Sequence, residues 1–413
     1  MPQNEFMFSF HSQYLLLVGM ILLVGGCQNN PEKTTQDAIK TGFKTITDMR
    51  NLSVDIPINP KRILTVSDGM IETVMANFGV MDKLIAVGSS CLQRNFAYEI
   101  PGIQNSLHFS EGMNPIRLLF PFVAELPLVA SSGLPLQLEK IAALQPDLIL
   151  LREGCCTLPN LADPKSKQAL SILSSFGIPV VVLKGTNQFD PPDLSKFNQE
   201  ISLLGEIFDQ EEKAAALIRF LDSTIHLVKN RTNRLTKNEQ PSLLLLGLSP
   251  LAREGGSAGV TKGKDTMEGY MIEQLVNARN AYQGYGGRTS SLLLNTEQIL
   301  ALDPDVIVLP TASGYHPPEE LYEAPYYAKL QNLKAVKARK VVALPWTPCN
   351  CSKRIEYPID VMMMAKVSYP EVFKDIEIHD WVLEFYQRVY GVSEEKAKEI
   401  RSVMWLDWTL DGI

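Results

Sequence analysis

Positive charge is what this chain most plainly lacks. Asp and Glu outnumber Lys and Arg by 46 to 39, the net charge is −7, and no basic stripe is visible. Phosphate binding needs concentrated positive charge, so nucleic acid is excluded as a partner. There is no glycine-rich phosphate loop, no Ser-His-Asp order and no His-Glu-x-x-His pair. Their absence removes the commonest nucleotide-binding and hydrolytic chemistries. A long apolar run is missing too. Tyr14 to Gly26 holds about 13 apolar residues, too few to span a bilayer comfortably and suited to a signal-peptide core. No Lys or Arg precedes that core, and Glu5 does.

What is present is an ordinary globular body, 45% hydrophobic and 21% charged. Its 413 residues suit two domains or one two-lobed unit. Glu139-Lys140-Ile141-Ala142-Ala143-Leu144-Gln145-Pro146-Asp147-Leu148-Ile149-Leu150-Leu151 is echoed, a domain's length further on, by Glu297-Gln298-Ile299-Leu300-Ala301-Leu302-Asp303-Pro304-Asp305-Val306-Ile307-Val308-Leu309. Each copy reads as a short amphipathic helix, a Pro-Asp turn and a buried strand. A solenoid repeats every 20–50 residues or so, so this spacing means two lobes built alike. Such lobes face each other across a cleft, where function is sought.

The ending Val24-Gly25-Gly26-Cys27 resembles a bacterial lipobox, in which Cys27 is lipidated and begins the mature chain. The competing reading is an ordinary signal peptide with an incidental cysteine. The expected layout is a signal peptide over 1–26, a lipid-anchored tether over 27–50 and an N-terminal lobe over 51–191. Linking helices over 192–238 and a C-terminal lobe with C-terminal helices over 239–413 complete it. Strands are expected at 62–66, 83–87, 147–151 and 179–183, then at 242–246, 305–309 and 340–344. Helices alternate with them, so the fold class is α/β with two Rossmann-like lobes and mostly parallel sheets. Residues 92–135 read as irregular. Gln210 to about Leu235 reads as one long helix bridging the lobes, or as two packed helices with a pause at Gly205.

Five segments together resemble the substrate-binding proteins of ABC importers for ferric siderophores, haem and cobalamin. They are NPKRILTVSDGMIETVMANFGVMDKLIAVG (59–88), LEKIAALQPDLILL (138–151), TEQILALDPDVIVL (296–309), LKAVKARKVVAL (333–344) and YPEVFKDIEIHDWVLEFYQRVYGV (369–392). The resemblance covers most of residues 55–395. It implies two lobes joined by one long helix, little hinge motion and no enzymatic activity. It implies no prosthetic group; the bound metal chelate is the transported ligand. Implied partners are an ABC permease dimer with its ATPase and, through the anchor, a membrane on the extracytoplasmic side, with the protein itself a monomer. Glu139 and Glu297 match the positions where this family docks on permease arginines. The plainer alternative is that each favours the positive end of its helix. The stretch 92–135 is longer and more apolar than the family's usual pattern, and the loops are richer in cysteine.

In open α/β sheets, ligands bind beyond the carboxyl ends of the strands. The loops there supply the candidate ligand-binding residues Ser67, Asp68, Cys91, Arg94, Arg152, Cys155, Cys156, Arg253, Tyr315, Trp346, Cys349, Cys351 and Arg354. Arginines, Arg288 included, suit carboxylates, catecholates or propionates of a chelate, and Trp346 suits stacking on a flat ligand. For each arginine the competing reading is a surface salt bridge. All five mature cysteines lie in these loops, and three readings stay open: disulfides, a thiolate-lined metal site of Cys155, Cys156, Cys349 and Cys351, or inert buried thiols. Adjacent Cys155 and Cys156 have Cα atoms about 3.8 Å apart, below the usual disulfide span of about 4.4–6.8 Å. They are therefore not expected to pair with each other, and a bond within the first lobe is expected from Cys91 to Cys155 or Cys156. A bond between lobes would lock the cleft. The two cysteine groups are expected to face one another, with Arg152 and Arg354 lowering thiol pKa values. The rival functions are an envelope redox protein with a cysteine-ligated iron–sulfur cluster and a bare metal-ion receptor.

Overall fold

Two four-stranded parallel sheets carry the fold of this computed structural model. It describes residues 42–412, apart from 102, 104–106, 133, 288–290 and 350. The expected signal peptide, Cys27 and Arg288 lie outside the described residues. The first sheet runs Leu84–Val87, Ile63–Val66, Leu148–Glu153, Val180–Lys184. The second runs Arg279–Asn280, Ser242–Leu245, Val306–Leu309, Val341–Ala343. In both, the second strand of the chain lies outside the first and the third lies inside it. The lobes thus share one topology, as their repeated segment implies.

The repeat has a physical reason. Ile141 and Ile299 plug each lobe's core at 0% exposure. The helices Leu138–Leu144 and Thr296–Leu302 both end on a left-handed residue, Gln145 and Asp303, before the proline. The aspartate that follows ties down the neighbouring strand. Asp147 accepts the N–H groups of Lys61 and Arg62 at 2.7 and 2.9 Å. Asp305 accepts the N–H and hydroxyl of Ser242 at 2.9 and 2.8 Å.

The linking segment is two helices, Ser195–Phe208 and Glu211–Thr232. The break falls at Asp209, which is left-handed, and not at Gly205. Gly205 sits inside its helix because the next helix presses on it: a Cβ there would lie 2.7 Å from the Ala214 Cβ. The 22-residue helix Glu211–Thr232 touches helix Met70–Phe78 of the first lobe and helix Tyr357–Ser368 of the second. Every residue of Tyr357–Ser368 is buried, Asp360 and Lys366 included, and Asp360 is paired with Lys353 at 3.0 Å. One core runs through both lobes around it.

Three expectations about layout change. Phe43–Thr47, assigned to the tether, pairs with Ser53–Pro57, because alternation buries Ile46 and Ile56. Residues 92–135 are not irregular: Phe96–Ile100 and Leu107–Gly112 form a hairpin. That hairpin belongs to the first lobe by sequence but packs on the second, where Tyr98 meets Trp346 at 5.1 Å and Phe109 meets Tyr315 at 4.8 Å. Conversely, the C-terminal helix Ile378–Tyr390 returns to the first lobe, where the Asn77 amide donates to the Val389 carbonyl at 2.8 Å. Among the described residues, no helix is long and apolar enough to cross a membrane.

Candidate functional site

The carboxyl ends of both sheets open on one cavity of about 1140 Å³. Loops after six of the core strands line it. The first lobe supplies Cys91, Gly154 to Cys156 and Thr186 to Gln188; the second supplies Ser249, Pro310 to Gly314, Trp346, Pro348, Cys349 and Cys351 to Lys353. Gly154 is needed in its loop. It has φ 96° and lies hard against the Asn187 side chain. The Asn187 amide donates to the Gly154 carbonyl at 2.9 Å and to the Cys351 carbonyl at 3.0 Å, tying one lobe's loop to the other's.

The two cysteine groups face one another, but they pair across the cleft and not within a lobe. Cys91 is bonded to Cys349, with Cα atoms 6.2 Å apart, and Cys156 to Cys351, at 5.3 Å. Both spans are ordinary for a disulfide. The reason is geometric: every cysteine loop leaves the carboxyl end of its strand toward the same cleft, so the nearest sulfur is the opposite lobe's. Four of the five sulfurs beyond Cys27 are therefore not thiolates. Cys155 is free and buried, and it also lines the cavity. The expected arginine effect on its pKa fails. Burial pushes the Cys155 thiol up, the Asp68 charge adds to this, and Arg152 offsets only part.

Of the candidate ligand residues, the structure brings Cys91, Cys155, Cys156, Trp346, Cys349 and Cys351 to the cavity wall. Ser67, Arg152, Arg253, Tyr315 and Arg354 serve the scaffold. Arg152 is fully buried and makes a bidentate pair with Glu200 at 2.6 and 2.8 Å, with a third bond to the Lys353 carbonyl at 2.9 Å. Arg253 donates to the Leu248 carbonyl at 2.6 Å and to the Tyr327 hydroxyl at 2.7 Å. The Tyr315 hydroxyl donates to the Trp405 carbonyl at 3.0 Å. Ser67 accepts the Ile71 N–H at 3.2 Å, and exposed Arg94 lies over the Phe96 ring. Arg354 donates to the Asp68 carbonyl at 2.9 Å, a further tie between lobes. His316 is buried, with Nδ1 2.7 Å from Glu320 and Nε2 2.9 Å from the Ala312 carbonyl.

Asp68 is buried against the cavity-lining loop, where its Oδ2 accepts the Cys156 N–H at 2.6 Å. Burial pushes its carboxyl up to about 6, against the Cys156 N–H, Arg354 and Arg152, which favour the charged form. The site also contains residues that sequence reasoning passed over. Thr261 and Lys262 come from strand Gly259–Lys262, which pairs with Ser291–Leu294 outside the main sheet. Glu268 follows that strand. Burial raises its carboxyl pKa, but Lys353 and Lys262 outweigh that and hold it below the usual range. Thr186 to Gln188 follow the fourth strand of the first lobe, so the strand-end rule, applied there as well, would have found them.

A two-lobed α/β protein with its cavity at facing strand ends is built to hold a solute. Residues 74–347 match the periplasmic binding protein family, and the chain belongs to it. This is a family of solute-binding proteins for ABC importers, not of enzymes. The fold is similar to that of a periplasmic solute-binding protein of Veillonella parvula, at 20% identity and TM-score 0.65, covering 89% of this chain and 98% of that one. It is also similar to the molybdate-binding protein MolA of Haemophilus influenzae, at 17% and 0.62, covering 85% and 98%. A petrobactin-binding protein of Bacillus subtilis aligns at 17% and 0.56, covering 79% and 98%. A search by sequence finds no match among curated proteins.

Proposed function

We propose that this chain is the lipid-anchored binding protein of an ABC importer and that its cargo is a metal chelate: a ferric siderophore, haem or a corrinoid. The observation that carries the choice of cargo is the size of the cavity. Small-molecule pockets run to about 300–1,000 Å³, and about 1140 Å³ is far more than a bare ion needs. Trp346, 2% exposed, lines the cavity wall and offers an aromatic surface to such a ligand. The similar structures include one described as binding petrobactin and one as binding molybdate. The iron–sulfur reading is disfavoured, because four sulfurs are tied in pairs.

Docking on the permease is assigned to Glu139 and Glu297. Both are exposed, in the first turns of equivalent helices, and neither makes an ion pair among the described residues. Changing both to Arg places like charges against permease arginines. The expected result is loss of chelate uptake with chelate affinity unchanged; normal uptake at native expression overturns the assignment. Cys27 is assigned the lipid anchor. Cys27→Ser is expected to release the protein from the membrane fraction, and retention through a carbonate wash overturns this.

A further inference from the structure

Three side chains from three loops converge at the cavity, where Cys156 and Cys351 form part of the wall. One carboxylate oxygen of Asp68 and the sulfurs of Cys156 and Cys351 all lie within 4.8 Å of one another. Asp68 is 1% exposed; its Oδ2 accepts the Cys156 N–H at 2.6 Å, and its Oδ1 has no hydrogen-bond partner. A buried carboxylate oxygen without a partner is costly, and a cation at this point would satisfy it. The two disulfides also differ in access. Cys351 is exposed and Cys156 part-exposed, whereas Cys91 is buried and Cys349 part-exposed. Exposed disulfides are the ones most readily reduced.

We propose that the Cys156–Cys351 disulfide and a soft divalent-metal site of Asp68, Cys156 and Cys351 are two alternative states of the same residues. A small dithiol entering the cavity attacks the disulfide. The Cys156–Cys351 bond breaks, the reductant closes into its own disulfide, and its two electrons and two protons leave Cys156 and Cys351 as thiols. A divalent cation then displaces both thiol protons to solvent, forming two metal–sulfur bonds and one bond to Asp68. Two sulfurs and one carboxylate suit zinc or cobalt(II). Three protein donors leave one tetrahedral position open toward the cavity.

Reduction does not dismantle the site. The Cys91–Cys349 bond still joins the lobes two residues from Cys351. Asn187 still holds the Gly154 and Cys351 carbonyls, and Arg354 still holds the Asp68 carbonyl. The inference goes beyond the chelate reading, because it needs no chelate and concerns only the reduced protein.

The test is a titration with Co²⁺ alone, monitored by sulfur-to-cobalt charge-transfer absorption. Oxidised protein is compared with protein reduced by a limiting dithiol and desalted without oxygen. A single equivalent of Co²⁺ is expected to give the charge-transfer band in reduced protein only, with displacement by Zn²⁺. Cys351→Ser is expected to abolish the band, and Asp68→Asn to weaken binding by about tenfold or more. Alkylation of reduced wild-type protein serves if a variant fails to fold: Co²⁺ is expected to protect Cys156 and Cys351. The proposal is overturned if reduced protein shows no charge-transfer band at stoichiometric Co²⁺, if Cys351→Ser keeps it, or if Co²⁺ gives no protection. Chelate binding to the oxidised protein is measured separately, so either reading can fail alone.

Discussion

Cys156 of the first lobe and Cys351 of the second are joined by a disulfide whose Cα atoms lie 5.3 Å apart, at the wall of the ligand cavity. With Cys91–Cys349 it fixes the two lobes where a hinged receptor would open. The helix Glu211–Thr232 and the paired strands Phe96–Ile100 and Leu107–Gly112 hold them elsewhere. The expected consequence is small motion on binding, unlike hinge closure. Small-angle scattering of oxidised protein is expected to give the same radius of gyration with and without bound ligand. A large decrease contradicts the locked arrangement.

Gly205 is expected to resist replacement even by a better helix former. Ala in a helix interior is ordinarily favoured over Gly by about 1 kcal/mol. Here the new Cβ meets the Ala214 Cβ at 2.7 Å, so Gly205→Ala is expected to lower the melting temperature. Adding Ala214→Gly removes the clash and is expected to recover part of the loss. If Gly205→Ala alone stabilises, the close helix contact is wrong.

Arg152 and Glu200 form a fully buried ion pair. Arg152→Met leaves the Glu200 charge uncompensated, at a cost of about 3–5 kcal/mol. The double variant Arg152→Met with Glu200→Leu is expected to be closer to wild type than either single variant, by urea unfolding. Additive losses would argue against the pair. The same cycle separates this scaffold role from the ligand role that sequence assigned to Arg152.

The sequence made the lobes legible and left the straps between them hidden. Local patterns such as RILTV and DVIVL report strands, and the repeat reports a shared topology, because both are encoded over a few residues. Which cysteine meets which depends on how two sheets face each other, and no local pattern carries that. Arginines in strand-end loops looked like ligand donors. Only the fold shows that Arg152 meets Glu200 and that Arg253 meets the Leu248 carbonyl and Tyr327. The 92–135 stretch hid a hairpin because its apolar residues pack on the other lobe, not on their sequence neighbours.

Glu72 supplies a pH dependence. Burial raises its carboxyl pKa, although the Thr65 hydroxyl donates to Oε1 at 2.5 Å and favours the charged form. The folded protein therefore holds this proton more tightly than the unfolded chain. Its contribution to stability is complete below the ordinary value of 4.5 and is lost as pH rises through the folded pKa. Glu72→Gln is expected to reduce the fall in melting temperature between acidic and neutral pH. Identical slopes for the two proteins contradict this.

The central claim is that the inter-lobe cavity holds a metal chelate, and a thermal-shift titration of the oxidised protein tests it most directly. The panel is a ferric catecholate, a ferric hydroxamate, haem, a corrinoid and the bare metal ions. The account predicts that one chelate class raises the melting temperature saturably, with about 2.7 kcal/mol of stabilisation at 100 times its Kd, and quenches Trp346 fluorescence at the cavity wall. A shift from a bare ion with none from any chelate would contradict it.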